Sequence, residues 1–167
     1  MSKTLVAFLS ATGNTRLLAE AIFESLQGVK DLRPLEDVLS FDDYDLVFVG
    51  FPIHAHSVPY PAEQFLKKIP PGKPVALFST HGSFHGHRLS REAVEYAVVL
   101  APQVKVLGTY SCRGKMSLKA VEFLARSPEH AEWTEMAPSA STHPDRHDLE
   151  EARAFARLIQ AKARQQA

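Results

Sequence analysis

Eleven residues near the start of the chain, Leu5-Val6-Ala7-Phe8-Leu9-Ser10-Ala11-Thr12-Gly13-Asn14-Thr15, narrow its possible folds more than any other stretch. The run up to Leu9 is apolar on both faces, as a buried parallel strand requires. Ser10, Thr12, Asn14 and Thr15 then bring in small hydroxyl and amide groups, Gly13 permits a sharp turn, and residues 16–26 read as a helix. A strand that ends in hydroxyls and opens directly into a helix gathers backbone N–H groups at the positive end of the helix dipole. That is an anion site. A helix cap at Asn14 or Thr15 accounts for part of this pattern. Four hydroxyl or amide groups in six positions exceed what a cap requires, which favours phosphate. The nucleotide-hydrolysing loop is excluded because no Gly-Lys-Ser/Thr follows, and the dinucleotide Gly-x-Gly-x-x-Gly pattern is absent. What remains is a monophosphate held by hydroxyls rather than by lysine.

Apolar runs continue to alternate with helical patterns along the chain. Strands are expected at residues 4–9, 29–32, 46–50, 75–79 and 104–110, the second a weak edge strand closed by Pro34. In the first helix Leu17, Leu18, Ala21, Ile22, Ser25 and Leu26 fall on one 3.6-period face, and Gly28 ends it. Further helices are expected at 61–68, with proline in the first turn, and at 89–100. A last helix starts near Asp148, with Glu151 completing a capping-box-like pair, and runs to about residue 162. Parallel strands need crossover helices, so this order makes an α/β doubly wound sheet. Ligands of such sheets sit beyond the carboxyl ends of the strands, where loops 10–15, 51–60 and 80–88 can meet.

The 167 residues fit one domain on length, and the formal net charge of zero gives no electrostatic footprint for nucleic acid. A single cysteine, Cys112, rules out an intramolecular disulfide and fits a reducing compartment. No run approaches the ~20 apolar residues of a membrane helix, and the N-terminus carries no secretory pattern. A soluble cytoplasmic protein is therefore expected.

The hydroxyl-rich first loop, the apolar third strand ending in Gly50 and the glycine-rich loop after the fourth strand together resemble the flavodoxin family. Ser10-Ala11-Thr12-Gly13-Asn14-Thr15 matches that family's Thr/Ser-x-Thr-Gly-x-Thr pattern at every defined position. The resemblance covers roughly residues 4–111 and the final helix. It implies a five-stranded parallel sheet of order 2-1-3-4-5 with helices on both faces, and FMN as cofactor. It implies that Ser10, Thr12, Asn14 and Thr15 bind the phosphate, with Ala11 and Gly13 adding N–H groups. Pro52, Ile53, His54, Ala55, His56 and Ser57 would flank one side of the flavin ring. Thr80, His81, Gly82, Ser83, Phe84, His85 and Gly86 would flank the other and offer backbone donors to its pyrimidine edge. A response-regulator domain fits less well, having a phospho-accepting Asp where this chain has Gly50-Phe51-Pro52. A low-molecular-weight phosphatase would need a Cys-x5-Arg loop after the first strand.

Two departures bear on the job. Acidic carriers of this family place carboxylates beside the ring; here residues 51–62 and 80–91 hold no Asp or Glu, and five histidines, His54, His56, His81, His85 and His87, occupy those loops. Their spacing admits a metal reading, but no carboxylate accompanies them, and no metal is expected. Positive charge there would favour the reduced, anionic flavin and make its couple less negative. Phe51, Tyr60, Phe84 and Tyr110 are the aromatic groups open to ring stacking. The second departure is an insert, residues 111–147, with an amphipathic helix near 118–126. Two readings stand side by side: in one Arg113 and Lys115 reach an anionic ligand or partner, and in the other the insert simply packs on the surface and covers the sheet edge. The leading expectation is an FMN protein that shuttles electrons between a reductase and a redox enzyme. The alternative is an FMN-dependent NAD(P)H oxidoreductase acting on a quinone or other conjugated acceptor.

Overall fold

The structure is a computed structural model that describes residues 2–54 and 57–166. Its strands are β1 (Lys3–Phe8), β2 (Val29–Pro34), β3 (Leu46–Pro52), β4 (Pro74–His81) and β5 (Lys105–Arg113). They form one five-stranded sheet in the order β2-β1-β3-β4-β5, and every pairing is parallel. The expected order is therefore found. Helices α1 (Asn14–Ser25) and α6 (Arg146–Gln165) cover one face, and α2 (Tyr60–Lys68) and α3 (Arg88–Leu100) the other.

Alternation along the strands divides the core between these faces. Leu5, Ala7, Val47, Val49, Val75 and Leu77 pack toward Phe65, Leu66 and Ala97 of α2 and α3. Val6, Phe8, Phe48, Ala76 and Phe78 pack toward Leu18, Ile22, Ala156 and Ile159 of α1 and α6. Burial on both faces explains why the central strands read as continuous apolar runs. Leu17, expected on the buried face of α1, is instead 46% exposed. Helix α1 meets its neighbours along a narrower stripe, and Leu17 lies beyond it.

The insert after β5 folds into α4 (Leu118–Ala125) and α5 (Ala131–Met136), with 3₁₀ turns at Pro128–His130 and Ala137–Ala140. Leu124, Trp133 and Met136 from the insert form a small third core with Ile53, Leu89 and Ala93. The insert is thus anchored over the loop end of the sheet. The box that starts α6 lies one turn earlier than expected. Asp145 Oδ1 accepts from the N–H groups of His147 and Asp148, and Asp148 Oδ2 accepts from Asp145 N–H at 2.8 Å. Asp148 Oδ2 is also 2.6 Å from His143 Nδ1, which ties the end of the insert to the start of the helix. Among the described residues no helix is long and apolar enough to cross a membrane.

Candidate functional site

Between β1 and β3 the chain's crossovers leave in opposite directions, so the carboxyl ends of these strands form the switch point of the sheet. The loop 9–13 starts there. Gly13 is the N-cap of α1 with φ 98°, a left-handed conformation that an L side chain resists, and it offers no side chain to the helix amides. Ser10 takes over part of that role from three residues back. Its Oγ accepts from Gly13 N–H at 3.2 Å and Arg16 N–H at 3.3 Å. Asn14 and Thr15, the two cap candidates from the sequence, thus lie inside the first turn, and neither caps the helix.

Thr15 is 1% exposed and Thr80, at the end of β4, 3%. Their hydroxyl oxygens lie 2.8 Å apart. In such a pair one hydroxyl donates to the other, whose own proton stays available for an anion. Asn14 is already committed: its Nδ2 donates to the Lys115 carbonyl at 2.8 Å. Ala11 and Thr12 are exposed at the tip of the loop.

These groups wall a cavity of about 110 Å³, together with Pro52, Ile53, His54, His81, Gly82 and Met116. Larger hollows lie elsewhere, such as one of about 510 Å³ around Ser2, Asp45 and Lys105 at the opposite end of the strands. The small cavity joins the N-terminus of α1 to several hydroxyls, which is the chemistry an anion requires. Gly114, Lys115, Met116, Ser117 and Ala120 also line it; of these the sequence pointed only to Lys115. The available signal was the position of these residues just past β5, whose carboxyl end opens on the same rim.

In the loop after β3, Ile53 is buried and its N–H donates to the Thr80 carbonyl at 2.8 Å. His54 is exposed and makes two backbone bonds with Ser57, at 3.0 and 2.9 Å, closing a tight turn. Ala55 and His56, the remaining two residues expected to flank the ring here, lie outside the described residues.

The loop after β4 is more tightly held than its composition implies. His81 is buried, its Nδ1 lies 2.8 Å from Ser83 Oγ, and burial pushes its pKa down to about 4. It is neutral at neutral pH. The expectation that the loop histidines supply positive charge therefore fails for His81; the shift at His54 is also downward, through loss of solvation. Among the described residues these histidines form no cluster of three ligands; the set that does is His143, Asp145 and Asp148 at the start of α6. His87 caps α3, its Nδ1 accepting from Leu89 N–H at 3.3 Å. Phe84 N–H donates to Met136 Sδ at 3.3 Å, so that donor does not point freely at a ligand. His85 and Gly86 are exposed.

Arg113 is a correction to the sequence reading. Its guanidinium faces inward and links the β4–α3 loop to the insert. Nε donates to the Ser83 carbonyl (2.9 Å), one terminal nitrogen to the Ser139 carbonyl (3.1 Å), and the other to the Met136 carbonyl (3.3 Å) and Ser139 Oγ (2.6 Å). The same group lies 5.3 Å from the centre of the Phe84 ring. Gly82 receives Met116 so closely that an added Cβ would lie 2.2 Å from Met116 Sδ. Of the four aromatic groups named for stacking, Phe51 is fully buried and Tyr110 is stacked on Phe155 with its hydroxyl donating to the Asp148 carbonyl. Phe84, half exposed, is the one that remains on this loop. Cys112 is buried, and burial pushes its thiol pKa up, which leaves it unreactive.

Comparison with known proteins gives a consistent result. The flavodoxin-like domain-containing protein BilS of Clostridioides difficile is 29% identical over 173 residues, spanning 96% of this chain and 98% of that one. Among solved structures, a Streptococcus pneumoniae TIGR4 flavodoxin superposes with a TM-score of 0.66 at 14% identity, over 96% of this chain and 99% of its own. Oxidised Flavodoxin 2 from Bacillus cereus gives 0.61 at 22% identity, over 96% and 99%. A Lactobacillus acidophilus flavoprotein in complex with FMN gives 0.55 at 18%, over 66% and 93%. At such identities the structural likeness is one of fold. The family model for the flavodoxin domain matches residues 5–157, and the chain belongs to the flavodoxin family.

Proposed function

We propose that this chain binds FMN and carries electrons between a reductase and a redox enzyme. The observation that carries this reading is the hydroxyl-lined cavity at the N-terminus of α1, in a chain of the flavodoxin family. A fold neighbour in complex with FMN supports the choice of cofactor.

The residues present fit the group. Ser10, Thr12 and the Thr15–Thr80 pair supply hydroxyls, and no bond among the described residues engages the N–H groups of Asn14 and Thr15. At about 110 Å³ the enclosed space is below the ~300 Å³ of an ordinary small-molecule pocket, so it takes the phosphate end while a larger ring is carried on the rim. Bound FMN would supply one- and two-electron redox chemistry. The protein's part is to hold the phosphate by uncharged donors, to set the ring-facing loop through Arg113 and Met136, and to keep a neutral imidazole, His81, beside the site.

The test is reconstitution of purified protein with FMN, followed by anaerobic mixing with NADH or NADPH. Flavin uptake without bleaching by either nicotinamide is the expected result. Bleaching would assign the chain to the NAD(P)H oxidoreductases, and no uptake would overturn both.

A further inference from the structure

Helix α4 is the element of the rim whose composition the phosphate site leaves unexplained. Leu118, Ala120, Val121, Phe123, Leu124 and Ala125 are apolar, yet Leu124 is the residue it buries. Leu118 is 82% and Phe123 66% exposed. Large apolar groups left in water beside a site mark an interaction surface. The helix adjoins the cavity directly, because its N-cap Ser117 and Ala120 form part of the cavity wall.

Charge selects the occupant. Residues 4–19, 46–62, 74–91 and 96–121 contain no Asp or Glu. The insert's carboxylates are Glu122 on α4 itself and Glu129, Glu132 and Glu135 beyond it, so that Lys115, Lys119 and Arg126 against Glu122 leave the α4 face net basic. Lys119, Phe123 and Arg126 recur at i, i+4 and i+7, along one side of the helix and the residue just past its end. Among the described residues no carboxylate lies within ion-pair distance of Lys115, Lys119 or Arg126, whereas Arg16, Arg88 and Arg91 are paired along their own helices. A second copy of this chain would bring like charges together on this face. A lipid surface would be met by only eight helical residues, one of them Glu122.

We propose that α4, with the turn at Lys115, docks a protein electron partner that presents an apolar patch ringed by carboxylates. This rests on the FMN electron-transfer reading above. The apolar contact brings the partner's redox centre to the cavity mouth, and the basic collar sets the encounter rate and orientation.

The test uses the FMN-loaded protein, reduced with dithionite and mixed with ferric cytochrome c in two forms: native, rich in lysine, and succinylated, which is acidic. Each reduced flavin gives one electron to each of two ferric haems, which become ferrous, and releases its protons to solvent. The acidic form should be reduced on the order of tenfold faster at low ionic strength, with the advantage shrinking as salt is added. Lys119→Glu with Arg126→Glu should reverse the preference. Phe123→Ser should slow the acidic cytochrome several-fold, while reduction of a small uncharged quinone stays unchanged in both variants. Equal rates, or preference for the native cytochrome, would overturn the proposal. So would a dimer that Phe123→Ser dissolves, or binding to anionic vesicles that Phe123→Ser abolishes. If no flavin is taken up, the FMN reading fails by itself. Calorimetric binding of succinylated cytochrome c to the flavin-free protein, lost in the charge-reversed variant, would then still support the surface, and its absence would overturn it.

Discussion

Thr15 and Thr80 are joined by a buried hydrogen bond, Oγ1 to Oγ1 at 2.8 Å, across 65 residues of sequence. One lies in the first turn of α1 and the other is next to last in β4, so the bond fixes the start of α1 against the loop that follows β4. Removing one hydroxyl leaves the other buried without its partner. Thr15→Val should therefore cost about 1–3 kcal/mol. Thr15→Val with Thr80→Val should cost less than the two singles added, by roughly 1 kcal/mol. Urea unfolding of the four proteins measures this; strict additivity would show that the hydroxyls are not coupled.

Thr12 is exposed at the loop tip and makes no structural bond among the described residues, so its loss should spare the fold. A hydrogen bond to a charged phosphate contributes about 1.5–3 kcal/mol. Thr12→Ala is expected to weaken FMN by roughly 10- to 100-fold and riboflavin, which lacks the phosphate, by no more than about twofold. Fluorescence titration with both flavins checks it; equal losses would place the phosphate elsewhere.

Arg113 makes four hydrogen bonds that join the β4–α3 loop to the end of the insert. Arg113→Ala should cost about 2–4 kcal/mol, and Arg113→Lys should recover little, because a single ammonium cannot reproduce the planar fork. Hydrogen exchange at residues 83–86 and 136–140 should accelerate while amides of β1 and β3 keep their protection. Uniform loss of protection would mean a global role rather than a local clamp.

His81 titrates near 4 in the folded chain because burial disfavours its charged form, against an ordinary value of 6.5. Between these values the unfolded chain takes up a proton that the folded chain does not. Stability is thus complete above about pH 6.5 and falls as the pH drops toward 4, by about 3 kcal/mol in all. Thermal unfolding from pH 4.5 to 7.5 should show this slope, and His81→Asn should flatten it. A midpoint that rises on acidification would contradict the assignment.

With His81 neutral, the lysine in the cavity wall, Lys115, is the cation placed to act on a bound flavin. The reduced couple of the FMN-loaded protein should still lie above that of an acidic flavodoxin. Lys115→Glu should lower it by on the order of tens of millivolts at low salt. Spectroelectrochemical titration of both proteins decides the point; a couple as low as in acidic carriers, or one indifferent to Lys115, would remove the electrostatic argument.

The sheet and its strand order were legible because buried parallel strands write themselves as short apolar runs, and Leu5–Phe8, Leu46–Gly50 and Val75–Phe78 are such runs. The hydroxyl-lined start of α1 was legible for a similar reason: its hydroxyls lie within six residues. What escaped depends on contacts between distant segments. Nothing local to Arg113 shows that its guanidinium turns toward Ser83, Met136 and Ser139. The amide of Asn14 finds Lys115 across 101 residues. His81 reads as a charge from its type and is neutral because of what surrounds it. Tyr110, an aromatic near the end of β5, is used up by stacking on Phe155 of α6.

The contact between Asn14 and the turn at Gly114 and Lys115 has a kinetic meaning. The amide donates to Lys115, and a Cβ on Gly114 would come within 2.7 Å of the same amide nitrogen. The phosphate loop and the insert therefore share a latch. Any motion that lifts the insert from the cavity mouth must first break a bond made by a residue of the loop proposed to hold the phosphate. On the FMN reading, lifetime of the cofactor and opening of the insert are then two readings of one clock, and a change that slows either should slow both.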